Sequence, residues 1–301
     1  MTLRPSNNNG SSNKLVHLPW QNSAATPVTM ALGPHKEGAL MISQNSILRR
    51  LPPMCNRKQA LFFDGIRHAV EIIDLAYFRL QATLTDIALS NPSEATQTNL
   101  FTAAFLDAWA LVDSIDRFRA LWDLMPNVKK SANAPDTKSF KGLSQSVRNL
   151  RNVADHLAKR ADYIVAHKGT ALGELSWYKA LNPQGTEGLS CIIVPGTIGP
   201  GQKHLVNPAG KASTYPTGMI HLTAGAHRAC LSDLLPEIEK RVRFLEGSIE
   251  RSLAEQGVDG NQAGADVLIA LHMTANPDSS FQSVETVPKW GPTIIPPYAA
   301  R

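Results

Sequence analysis

Three cysteines in a chain of 301 residues, Cys55, Cys191 and Cys230, are too few and too scattered to frame a disulfide network or a Cys-based zinc site. That scarcity fits a reducing compartment, and each thiol reads as a small core residue or a bystander rather than a nucleophile. No apolar run is long enough to span a bilayer, and the first residues lack the compact apolar stretch of a secretory signal. The expectation is a cytoplasmic protein with no membrane contact. Metal-ligand sets are missing as well: His221 and His227 lie six apart with no carboxylate or Cys beside them to complete a site. The glycine-rich stretch Pro195-Gly196-Thr197-Ile198-Gly199-Pro200-Gly201 lacks the Lys-Ser/Thr ending and following helix of a phosphate loop, so it reads as a hairpin connection. No metal and no cofactor is expected.

What the chain does carry is helical periodicity. From about Arg57 to Leu89, Phe62, Ile66, Ile73, Tyr77, Leu80, Leu84 and Ile87 recur at threes and fours, with Arg67, Glu71, Asp74 and Arg79 on other faces. Asn91-Pro92-Ser93 stops that helix. A second, about Thr96 to Leu124, repeats the stripe with Leu100, Ala104, Leu111, Ile115, Phe118 and Trp122 before Met125-Pro126-Asn127 ends it. A third is predicted from about Ser139 to Ala166 on Leu143, Val147, Leu150, Ala154, Leu157, Ala161 and Ile164. A last one is predicted from about Ala229 to Gln256, with Pro236 in its first turns or kinking it.

Between the last two helices the texture changes to short β-branched or aromatic runs, 174–181, 189–194 and 217–222, punctuated by Gly, Pro and Asn. Two or three antiparallel strands fit. The expected fold is therefore mainly α, an up-and-down helical bundle with a small antiparallel β insertion at about 172–224 before the last long helix. Residues 1–55 read as a flexible arm, in which Trp20 and the apolar spots at Met41 and Ile42 are free to dock on the core or on a partner. Residues 56–256 form the domain, and 257–301 form an extended, Pro-containing tail.

Charge is unevenly placed. From Lys129 to Lys168 nine basic residues face three acidic ones, while the whole chain nets only +5, so the basic excess is local. Such a patch is an electrostatic footprint for an anion, nucleic acid above all, with Lys141, Arg148, Lys159 and Arg160 as candidate contacts. The alternative is a solvated, Lys-rich helix face. Within the patch, Arg151-Asn152-Val153-Ala154-Asp155-His156 places a cation, an amide and an imidazole together, a set suited to a phosphodiester. On an ideal helix Asn152 and His156 share a face, and Arg151 sits one step round. Arg151 and Asp155, also four apart, are equally spaced for an ordinary surface ion pair.

This hexapeptide resembles the R-x4-6-H signature of HEPN-domain proteins, α-helical domains that in many members act as metal-independent ribonucleases. Arg151, Asn152 and His156 match the signature's Arg, its following polar residue and its His. The resemblance implies that His156 acts as general base or acid toward an RNA 2′-hydroxyl or leaving oxygen, that Arg151 steadies charge on the phosphorane, and that Asn152 orients the groups. It also implies RNA as substrate, a homodimer whose shared cleft completes the site, and an inhibitory partner protein of the kind that accompanies toxins and defence systems. The competing expectation is a non-catalytic helical module that binds RNA or a protein partner, because no second acid-base residue lies close in sequence.

Overall fold

The computed structural model describes residues 40–51, 55–90, 94–125, 134–196, 203–208, 215–257 and 266. Trp20 and the Pro-containing tail motifs lie outside the described residues. Helix α1 spans Arg57–Leu89, with the Asn56 side chain accepting from the Lys58 N–H at its start, and α2 spans Glu94–Leu124. The predicted stripes are where these helices meet: Ile66, Ile73, Leu80, Leu84, Ala104, Leu111, Ile115 and Phe118 are all fully buried. Gly65 lies against Leu121, and Arg79 reaches Asp107 at 3.3 Å, so the two helices run antiparallel. A Cβ at Gly65 would stand 2.9 Å from a Leu121 methyl, so the small residue permits the close approach.

The third helix departs from expectation. Helix α3 spans Thr137–Asp155, started by the Asp136 carboxylate, which accepts from the Lys138 and Ser139 N–H groups. It stops at His156; a 3-10 turn, Leu157–Arg160, and a short helix α4, Ala161–Ala166, follow. The buried residues of α3 are Phe140, Ser144, Val147, Leu150 and Val153, whereas Leu143, Ala154, Leu157 and Ala161 of the expected stripe are exposed. The break has a packing cause. It re-aims the chain so that Ile164 is buried and the Tyr163 ring lies over Gly225 of the following sheet.

Four antiparallel strands form that sheet: β1 Glu174–Ala180, β2 Gly188–Ile193, β3 Thr217–Ala224 and β4 His227–Cys230, in the order β2-β1-β3-β4. The three expected strands are present. The fourth extends the insertion past residue 224, because Gly225 at φ 57° opens a two-residue turn that folds His227–Cys230 back onto β3. Helix α5 consequently begins at Leu235 rather than near Ala229, and spans Leu235–Glu255. Pro236 stands in its first turn, where the missing N–H costs nothing.

One core joins helices and sheet. Trp122, Phe118 and Phe140 pack in sequence, Phe118 stacked on Trp122 at 6.0 Å and edge-on to Phe140 at 5.8 Å. Arg241 of α5 is fully buried with its guanidinium 4.1 Å from the Phe140 ring centre. It donates to Glu237 Oε2 at 2.6 Å and to the Asp136 carbonyl at 2.7 Å, tying α5 to the start of α3. Arg67, which the sequence places off the apolar stripe, is buried too, held by Asp266 through two hydrogen bonds of 2.9 and 2.6 Å. Part of the expected arm also belongs to the core. Met41, Ile42, Ile47 and Leu48 are buried, the Met41 N–H donates to Asp74 at 2.9 Å, and Ser46 donates to Glu246 at 2.5 Å. Among the described residues no helix is long and apolar enough to cross a membrane.

Candidate functional site

The exposed face of α3 carries the first part of the basic stretch. Lys141, Gln145, Arg148 and Asn152, spaced at threes and fours opposite the buried stripe, share its solvent face. Lys159, exposed, and Arg160, half-buried, follow on the 3-10 turn. Of the seven lysines and arginines between residues 134 and 168, Arg151 alone has a carboxylate partner among the described residues.

Arg151 has three. Its Nη1 donates to Asp116 Oδ2 at 2.9 Å, its Nη2 lies 3.2 Å from Asp113 Oδ1, and its Nε lies 3.7 Å from Asp155 Oδ2. The hydrogen bond to Asp116 and the neighbouring carboxylates raise its pKa further, so the cation is permanent but compensated. Asp116 is itself buried and also bound by Arg119 at 2.7 Å. The Arg151–Asp155 spacing noted in the sequence is thus one arm of a larger network bracing α3 against α2. Asn152 points to solvent, away from this network. His156 is exposed at the α3 C-cap, at φ −119° and ψ 25°. Helix α3 ends at Asp155, one residue before His156, and within one chain Arg151 is held by carboxylates while Asn152 and His156 are both exposed.

A second constellation, unseen in the sequence reading, lies where the turn after α4 meets the sheet. His167, Lys168, His204 and Arg228 line a cleft of about 410 Å³ together with Thr223 and Glu174. Glu174, Thr223 and Arg228 are direct cross-strand neighbours on β1, β3 and β4, which sets them in one row on one sheet face. Tyr163 braces the cleft from behind: its hydroxyl accepts from the Ala226 N–H at 3.1 Å and its ring lies 4.3 Å from His167. The signal available in the sequence was three separate doublets of His with Lys or Arg, His167-Lys168, Lys203-His204 and His227-Arg228, but nothing in linear order says that they converge.

Burial pushes the Cys230 thiol up to about 12 and also raises Cys55 and Cys191, which disfavours their thiolates. His221 Nδ1 lies 2.7 Å from the Met219 carbonyl. Among the described residues no three His, Cys, Asp or Glu side chains cluster so as to hold a metal ion. Compared with known proteins, the chain matches no family model, no curated protein and no solved structure.

Proposed function

We propose that this protein is a non-catalytic helical module that holds the phosphodiester backbone of RNA on Lys141, Arg148, Lys159 and Arg160. The observation that carries this reading is the division of the cations. Arg151 is compensated by carboxylates and braces the fold, while its basic neighbours along the same stretch have no ion-pair partner among the described residues. Cations so placed attract phosphates. Base stacking has no platform there, because Phe140 is buried edge-on to Phe118 and Tyr163 lies against Gly225. Recognition is therefore of charge and backbone rather than sequence. The scaffold in this reading is an up-and-down arrangement of α1, α2 and α3 with the sheet inserted before α5, working in the cytoplasm.

The HEPN-type ribonuclease is the second reading, favoured by the exposure of Asn152 and His156 beside that basic surface. It requires a homodimer in which a second chain brings its own Arg and His to the cleft, and in which Arg151 leaves Asp113 and Asp116; an inhibitory partner would then cover this face.

Reversing Lys159 and Arg160 to Glu tests the binding reading. Single-stranded RNA should bind the natural protein with log affinity falling against log salt at a slope of about −3 if four phosphates are neutralised. The double reversal should weaken binding at least tenfold and flatten that slope, with unchanged thermal stability. Equal affinity and slope in both proteins would remove the reading.

A further inference from the structure

We infer that the cleft between the α4 turn and the sheet is a seat for a phosphate monoester, the terminal phosphate of the RNA that the basic face holds; the identity of that RNA end as the source rests on the binding reading, while the cleft chemistry does not. Four cationic or cation-capable side chains reach the cleft from three separate segments: His167 and Lys168 from the turn after α4, His204 from the 203–208 segment, and Arg228 from β4. One carboxylate stands among them, Glu174, and it is occupied by Lys203 at 2.5 Å. That pair neutralises the acid and also anchors the 203–208 segment beside the sheet. Lys168 and Arg228 have no carboxylate partner among the described residues, so the cleft keeps a net positive charge before either imidazole gains a proton.

Part of the backbone of the cleft wall is already satisfied. The His167, Lys168 and Gly169 N–H groups donate to Tyr163, Val165 and Ile164 carbonyls, and the Ala226 N–H donates to the Tyr163 hydroxyl. The side chains that line the cleft carry the charge, and that charge selects an anion. The shape selects which anion. A diester running along a surface needs no concavity, whereas a cleft of about 410 Å³ lined by cations from three segments has room for a terminal phosphate, with its second charge, together with part of the nucleotide that carries it. Lys168, which lines the cleft, sits at φ 52°, a left-handed position that few non-glycine residues adopt.

The test compares one 12-residue RNA carrying a 5′-phosphate, a 3′-phosphate or hydroxyls at both ends, by fluorescence anisotropy, with uridine monophosphate and uridine as competitors. A terminal phosphate should tighten binding about tenfold over the hydroxyl-ended strand, with the preferred end identifying the source, and the monophosphate but not uridine should compete for that increment. Arg228→Gln, and separately Lys168→Asn, which keeps a residue tolerant of the left-handed backbone, should abolish the increment and leave the affinity for hydroxyl-ended RNA unchanged. If no RNA binds but uridine monophosphate does, and Arg228→Gln removes it, the RNA reading fails while the monoester site stands. Equal affinity for all three RNAs, with no monophosphate binding, would overturn the site and leave the basic-face reading intact.

Discussion

Replacing Arg151 by Ala separates a brace from a catalytic cation. Arg151 contacts Asp116 at 2.9 Å, Asp113 at 3.2 Å and Asp155 at 3.7 Å, with its side chain 35% exposed and those of Asp113 and Asp155 42% and 56% exposed. The two exposed pairs are screened and contribute at most a few tenths of a kcal/mol each. The bond to buried Asp116 is charge-assisted and worth about 1.5–3 kcal/mol in a dry site, but Arg119 remains on Asp116 at 2.7 Å and limits the penalty of leaving that carboxylate behind. The expected loss is therefore about 1–2 kcal/mol, which lowers Tm by roughly 2–8 °C for a domain of this size. Arg151→Lys should lie between the two, keeping charge but losing the fork that reaches both α2 carboxylates. Scanning calorimetry gives the stability, and anisotropy with RNA gives the affinity, which should fall less than twofold. The reasoning is refuted if Arg151→Ala melts within 1 °C of the natural protein while an RNA-cleaving activity disappears, for that pattern belongs to a residue acting on substrate.

His156→Ala, at an exposed cap, should change stability by less than about 0.5 kcal/mol and leave RNA affinity within twofold; natural protein that cleaves RNA in EDTA, with cleavage lost in this variant, would establish the ribonuclease reading instead. A pH prediction comes from Asp74, whose burial lifts its pKa from 3.8 to about 6 against the Met41 N–H bond that favours ionisation. The native state holds this proton more tightly than the unfolded chain, so its stabilising contribution is full below about pH 4 and is lost as pH rises through about 6. That displacement is worth at most about 3 kcal/mol, and partial exposure reduces it to on the order of 1–2 kcal/mol. Asp74→Asn, which keeps an acceptor for Met41, should raise stability by about that amount at pH 7.5 and flatten the curve between pH 4 and 6.5 in urea melts; an unchanged curve would show that Asp74 is ionised and well solvated.

Periodicity determined the long elements, since a helix buries one stripe and leaves the record of that stripe every three or four residues. Arg57–Leu89 is bounded by signals in its own sequence, an Asn cap at 56 and the Pro after Asn91, and the three main strands by β-branched runs between Gly and Pro. Local signals failed where distant contacts set the geometry. The stripe from Val147 to Ile164 looks continuous, yet the chain breaks at His156 because Tyr163 and Ile164 must meet a hairpin turn about sixty residues further on. In sequence Arg151 offers a histidine beside it and one i,i+4 partner, Asp155, and only packing against α2 gives it Asp113 and Asp116, thirty-five and more positions away. The same holds for the cleft. His167, His204 and Arg228 are ordinary surface residues in linear order, and their convergence is a product of strand pairing and of the Lys203–Glu174 ion pair, which act through space and leave no periodic trace in the chain.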